Sequence, residues 1–182
     1  MNPNIRFMTL VCIACLASCA SPPAEPARMP ISPSSGTDNS LSSRLFRDVN
    51  AYRRSQGGRD LQRHSGLDKL AQGHSEYLLK NRGSFSLNGK NVSHFGFEGR
   101  YLTARERFQM SSVSENVVAS SSPQHLLQLW KTSKDHHKNM LDDWTHSGIG
   151  VAVDSDGMIF ATQLFSTQNS SQRSMQERFN HF

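Results

Sequence analysis

Two histidines stand side by side in the stretch SKDHHKNML, Ser133 to Leu141, between an apolar helical run and a second short one. Adjacent imidazoles suit a catalytic pair, a metal site or a surface coincidence. Two further polar residues sit in apolar or tight surroundings: His94 in SHFGF and Glu115 in SENVV. His94, Glu115 and His136 are spaced roughly twenty residues apart, so no local spacing rule unites them, and they meet only if the fold brings them together. Two neutral imidazoles and a carboxylate are candidate metal ligands for Zn²⁺ or another divalent cation, with the fourth position open. A metal held there binds a ligand or activates water. Without a metal, a Glu beside a His is a general acid/base pair with mutually shifted pKa values. Equally, a Glu–His hydrogen bond simply pins a loop against a helix. No serine or cysteine stands in a nucleophile elbow, and no H-E-x-x-H occurs. Catalysis by His94, Glu115 and His136 therefore stays open at this level.

Other polar residues have plainer readings. His74 falls on the apolar face of a helix and reads as a hydrogen-bonded histidine at the core edge rather than a ligand. His64, His125 and His146 read as exposed, and Trp130 as core at the root of the double-histidine segment. Glu98 and Arg100 either rim the cleft or belong to a loop marked by Gly96 and Gly99. Asn116 and Asn139 suit hydrogen bonds to backbone around the site.

Several elements must carry these residues. Leu41, Leu45, Val49 and Tyr52 recur at near-helical spacing and predict an amphipathic helix over 41–56, ended by Gly57-Gly58. Ser65 is placed to cap a second helix over 65–82, with Leu67, Leu70, Ala71, His74 and Leu78 along one face and Gly83 as its stop. Thr103 and Glu106 form a T-x-x-E capping box for a short helix over 103–110. Ser122-Pro123 opens a fourth helix carrying Leu126, Leu127, Leu129 and Trp130. The period then changes. Ile149, Val151 and Val153 alternate with small residues, DSDG at 154–157 is a turn, and Met158, Phe160, Thr162 and Leu164 alternate again, which is a β-hairpin. SENVVAS and NVSHFGF are weaker strand candidates. Helices followed by a hairpin indicate an α+β fold.

The chain has 182 residues, enough for one domain with a real core. Its first residues contain Arg6 and then an apolar run from Phe7 to Ala17. That run is shorter than the ~20 residues a membrane-spanning helix needs, and it reads as the core of a secretory signal. It ends in LASC, Leu16 to Cys19, which resembles a bacterial lipobox. The resemblance implies cleavage before Cys19 and lipidation of Cys19. An ordinary signal peptide with a chance cysteine is the alternative. Ala20 follows, with no Asp, which implies the outer membrane if the host is Gram-negative. All three cysteines lie at positions 12, 15 and 19, so the exported chain has no intramolecular disulfide to form. Removal of 1–18 takes only Arg6, leaving 19 basic against 15 acidic residues, a net charge of +4. The excess is spread without a basic run or aromatic interleaving, which argues for a solvated surface and against a nucleic-acid partner. The chain thus divides into a signal peptide at 1–18, an acylated Cys and disordered Pro/Ser-rich linker at 19–40, a domain at 41–166 and a polar tail at 167–182. The linker holds five of the seven prolines and cannot bury enough apolar area to order itself.

The segment LWKTSKDHHKNMLDDWTHSGIGVAV…FATQLF resembles the bacterial branch of the CAP superfamily, which groups cysteine-rich secretory, antigen 5 and pathogenesis-related proteins. That branch shows W-x-x-S-P-G-H-R-x-N-I-L, then I-G-V-G and a closing T-Q-x-F. Trp130, Ser133, His136, Asn139 and Leu141 match in register, followed by Ile149-Gly150-Val151 and Thr162 to Phe165. SENVV is similar to the family's G-E-N-I/L-A, and SHF to its preceding histidine. VNAYRRSQG and LDKLAQGHSEYL resemble the first two family helices. The resemblance implies a three-layer α-β-α sandwich with a small central antiparallel sheet, and a cleft lined by His94, Glu115 and His136 with Ser133, Asn116 and Asn139 in support. His137 stands where the family has arginine, a structural or solvent-facing cation, so the two histidines are not a pair. Eukaryotic members carry a second glutamate three residues after the tryptophan; Ser133 occupies that position here. Ser114 replaces the glycine before Glu115, and Lys134-Asp135 replace the Pro-Gly before His136.

Such domains bind ligands, sometimes lipids or sterols, and sometimes divalent metal. The resemblance thus leaves three readings: a binding module anchored in the envelope through lipid on Cys19, with a lipid, sterol-like or envelope ligand; a divalent-metal-dependent, peptidase-like hydrolase; or an adhesion or structural protein with a vestigial cleft. The lost second glutamate and absent nucleophile favour the first, and fold alone does not decide among them.

Overall fold

The computed structural model describes residues 35–82 and 94–168. The signal peptide, Cys19, the linker up to residue 34 and the tail from 169 onward lie outside the described residues; residues 35–40 of the expected linker are helical, and residues 167–168 of the expected tail end a strand. The first helix, α1 (Ser35–Ser55), begins six residues before the periodic stretch. It buries Leu45 and Val49 and ends where Gly57 turns left-handed at φ 79°. Arg53 on this helix is 2% exposed. Its guanidinium donates to the carbonyls of Arg59 (2.8 Å), Met140 (2.5 Å) and Asp142 (2.9 Å). Burial lowers its pKa, partly offset by the nearby Asp143. One side chain thereby satisfies three backbone acceptors and ties α1 to the end of the double-histidine helix.

A two-residue strand, β1 (Gln62–Arg63), leads into α2 (Ser65–Lys80). The N-cap is His64 rather than Ser65: its Nδ1 accepts from the Leu67 amide at 3.3 Å. An imidazole lone pair serves the orphan amide as a hydroxyl would. After a turn at His94–Gly96, α3 spans Phe97–Phe108. It starts six residues before the Thr103–Glu106 box, because Gly96 at φ 74° reverses the chain there. Thr103 therefore sits inside the helix, with its hydroxyl donating to the Gly99 carbonyl at 2.7 Å. The described part of NVSHFGF is this turn and helix start, not a strand.

The remaining elements are β2 (Met110–Ser120), α4 (Pro123–Thr132), α5 (Lys134–Leu141), β3 (His146–Val153) and β4 (Ile159–Gln168). Strand order is β1-β3-β4-β2. β4 pairs antiparallel with both β3 and β2, whereas β1 runs parallel to β3. The sheet is therefore mixed rather than purely antiparallel: the chain reaches β3's edge before α2 and runs the same way as β3. The hairpin turn falls on Asp154–Gly157, where Asp154 accepts from the amides of Asp156 and Met158, each at 2.8 Å. Arg82, at the end of α2, pairs with both Asp154 and Asp156.

Both sheet faces are covered, so the fold is an α+β three-layer sandwich. On β4, Ile159, Ala161 and Phe165 pack with Leu45, Val49, Leu126, Trp130 and Met140 from α1, α4 and α5. Leu164 packs with Leu67, Ala71 and Ala104 from α2 and α3, and Phe160 with Leu78. This is the strand period of two applied to a two-sided core. α2 rests directly on β3. A Cβ at Gly148 or Gly150 would fall 2.2 Å from the Asp68 nitrogen or 2.1 Å from the Gln72 nitrogen. Beyond β1, the edge of β3 is satisfied from α2: Asp68 Oδ1 accepts from Ile149 N and Gln72 Oε1 from Val151 N, both at 2.9 Å. Side chains spaced four apart on one helix thus close an edge strand that would otherwise offer free amides.

A carboxylate locked by arginine and histidine

Glu115 sits in the middle of β2 with its side chain 2% exposed. A buried carboxylate must be paired, and two neighbours supply this. Arg100, on α3, donates from Nε to Oε2 at 2.6 Å and from Nη2 to Oε1 at 2.8 Å. His94, in the turn before α3, makes a 2.8 Å hydrogen bond from Nδ1 to Oε1. Burial alone would raise the Glu115 pKa. The bonds from His94 and Arg100, with the charges of Arg100 and His74, outweigh it and hold the pKa below the ordinary carboxylate range. Because the carboxylate is ionised it can only accept, so His94 Nδ1 carries a proton; in the neutral ring the lone pair is then on Nε2.

The sequence motifs part company here. His94 and Glu115 touch. His136 has no side-chain hydrogen bond among the described residues, yet it lies near enough that a charge on His94 lowers its pKa. Burial of its ring lowers that pKa further and is the larger cause, while Asp135 acts the other way. The backbone of His136 is fixed from β2: Asn116 Nδ2 donates to its carbonyl at 2.9 Å, and Asn139 Nδ2 donates to Asn116 Oδ1 at 2.9 Å. Trp144 Nε1 donates to the Asn139 carbonyl at 2.8 Å. Ser133 is the residue between α4 and α5, and its carbonyl accepts from His137 N at 2.8 Å. His137 leaves the site altogether, with Nε2 hydrogen-bonded to the Tyr52 hydroxyl at 2.9 Å on the α1 side. The adjacent histidines therefore serve different layers.

Arg100 and His74 contribute more to this region than their sequence contexts suggest. Arg100 is the direct partner of Glu115, not a loop residue. Its only sequence signal was a cation on a helix face just after the histidine turn. His74 is buried and stacks on Tyr77, with ring centroids 6.0 Å apart and an interplanar angle of 12°. Tyr77 stacks in turn on Phe95 at 5.5 Å. Leu70, His74, Tyr77, Phe95 and Arg100 border a pocket of about 260 Å³ with mainly apolar walls. His64 and His146, expected at the surface, are half-buried and buried. Their rings meet edge-on at 6.0 Å, because β1 and β3 run side by side where each stands.

A divalent ion at Glu115 would compete with N–H donors: Oε1 accepts from His94 and Arg100, and Oε2 from Arg100. Among the described residues no three His, Cys, Asp or Glu side chains are grouped to hold a metal ion.

A mixed sheet between helical layers, with a histidine–glutamate–arginine cluster on its edge strand β2, defines a class of domain. The chain belongs to the cysteine-rich secretory protein (CAP) family, whose model matches residues 46–168. No curated protein sequence matches it. Among solved structures it is similar to an outer surface protein of Borrelia burgdorferi, with 16% identity and a TM-score of 0.61, covering 71% of this chain and 94% of that one. It is also similar to an extracellular SCP-domain protein of Bacillus anthracis, with 26% identity and a TM-score of 0.55, covering 81% and 45%. A cysteine-rich secretory protein of Staphylococcus aureus has 16% identity and a TM-score of 0.55, covering 72% and 39%. This chain spans less than half the length of the latter two.

Proposed function

We propose that this chain is an envelope-anchored CAP-domain lipoprotein that binds a small ligand in its cleft without turning it over. The observation that carries this reading is the state of Glu115. A carboxylate that accepts from Arg100 twice and from His94 once has its pKa pulled away from neutrality. It is poorly suited to exchange protons, for a general acid or base works best near the operating pH. What it does is orient His94, leaving Nε2 to accept from a ligand hydroxyl. The apolar pocket shares Arg100 with this cluster, so a ligand with an apolar body and a hydroxyl head, lipid-like or sterol-like, matches both parts. Export and lipid anchoring at Cys19 are supported by the leader and LASC sequence. Relatives described as an outer surface protein and as an extracellular protein fit the same location.

The test is an NMR titration of the chain lacking residues 1–19 with 1-decanol and with a hydroxysterol, beside the Tyr77→Ser variant. Shifts at Tyr77, Phe95 and His94 that weaken at least tenfold in the variant are expected, with no cleavage of peptide or ester substrates. Turnover that disappears in Glu115→Gln while the fold persists would instead establish the hydrolase reading.

A further inference from the structure

We infer that Arg100 is the resident cation at Glu115 and excludes a divalent metal from that carboxylate. A divalent ion on Glu115 would need its lone pairs, and three of about four are taken by N–H donors, two of them from the Arg100 cation. The guanidinium takes one Glu115 oxygen through Nε and the other through Nη2, a fork that matches the carboxylate. Its Nη1 donates to the Phe95 carbonyl at 3.0 Å, so the group is held at three points. Arg100 and Glu115 are 11% and 2% exposed. For a metal to bind, the arginine must leave a buried carboxylate and find other partners. The other metal-type donors at the site, His94 Nε2 and the His136 ring, are two nitrogens, and no group of three His, Cys, Asp or Glu side chains forms among the described residues. Arg100 is thus a positioning residue: it fixes Glu115, which fixes the His94 tautomer, and the cleft reaches charge balance without a metal. This inference is independent of the ligand-binding proposal, since it concerns what holds Glu115 and not what enters the pocket.

The experiment uses the full chain with its three cysteines replaced by serine, so that thiols at 12, 15 and 19 do not bind the probe. Zn²⁺ is titrated calorimetrically at neutral pH into this chain and into Arg100→Gln, Arg100→Lys and Arg100→Gln/His94→Ala, with circular dichroism to confirm folding. The parent is expected to show no Zn²⁺ binding that depends on His94. Arg100→Gln should gain at least tenfold in affinity, the double variant should lose that gain, and Arg100→Lys, which keeps a cation, should resemble the parent. Histidine ¹⁵N spectra of the parent supply a readout independent of any Arg100 variant's folding: His94 should be protonated at Nδ1, with its Nε2 signal unmoved by one equivalent of Zn²⁺. Micromolar Zn²⁺ binding by the parent that His94→Ala abolishes, a folded Arg100→Gln that gains nothing, or a Zn²⁺-induced shift of His94 Nε2 would each overturn the inference.

Discussion

At the scale of single residues, the ion pair between Glu115 and Arg100 ties α3 to β2. Removing one partner strands the other in a largely desolvated place, a loss typically worth about 3–5 kcal/mol. Glu115→Ala should therefore lower stability by about 3 kcal/mol or more, measured by urea unfolding at pH 7. The pH dependence follows from the direction of the shift. The Glu115 pKa is lowered on folding, so its contribution is complete above the unfolded value of about 4.3. It is lost as pH falls from there through the folded pKa, where the unfolded chain binds the proton more readily. The parent chain should lose stability below about pH 4 more steeply than Glu115→Ala does; parallel curves would show that the pair contributes little. Arg53 offers a contrast in kind. It satisfies three carbonyls and no carboxylate in direct contact, so its role is to complete backbone hydrogen bonding at the end of α5.

At the scale of elements, the seating of α2 on β3 sets where His74 and Tyr77 stand. His74 and Tyr77 reach the pocket because the helix lies against two glycines with no room for a methyl group. Gly150→Ala would place a carbon 2.1 Å from the Gln72 backbone nitrogen, and backbone cannot yield as a flexible side chain can. Destabilisation of about 1–3 kcal/mol or more is expected, seen as a lowered thermal midpoint or loss of soluble protein. A variant with parental stability would mean that α2 and β3 separate easily. Helix starts show how local signals compete. Thr103-x-x-Glu106 has the pattern of a capping box, yet the left-handed Gly96 starts α3 earlier and leaves the box inside the helix. His64, which lies outside the usual capping residues, performs the cap for α2.

At the scale of the whole molecule, the domain is held without disulfides, by a core packed on both faces of the sheet. Residues 20–182 contain no cysteine, although the family takes its name from them. No described helix is long and apolar enough to cross a membrane. The lipoprotein proposal places the attachment at Cys19. Cys19→Ser should move the protein from the membrane to the soluble fraction and abolish incorporation of a labelled fatty acid. A parent protein that takes up no label and is recovered in the soluble fraction would leave the leader as an ordinary signal.

Much of this domain was legible in the chain itself. The apolar period of 3.6 marked α1, α2 and α4, because burying one helix face imposes it. The switch to a period of two around DSDG marked the hairpin, because side chains alternate across a strand. The match from Trp130 to Phe165 carried the family and with it the sandwich. Three things waited on the tertiary structure. The parallel pairing of β1 involves two residues, too few to leave a periodic signal. The burial of His64 and His146 arises from strands distant in sequence lying side by side. The partnership of Glu115 with Arg100, fifteen positions apart, depends on how α3 turns back over β2, and hydrogen-bond geometry of that kind is set by packing rather than by spacing. A sequence states which groups are present and which faces are apolar. Whether a buried carboxylate faces an arginine or an open cleft depends on the direction of side chains across a sheet, which only the assembled layers decide.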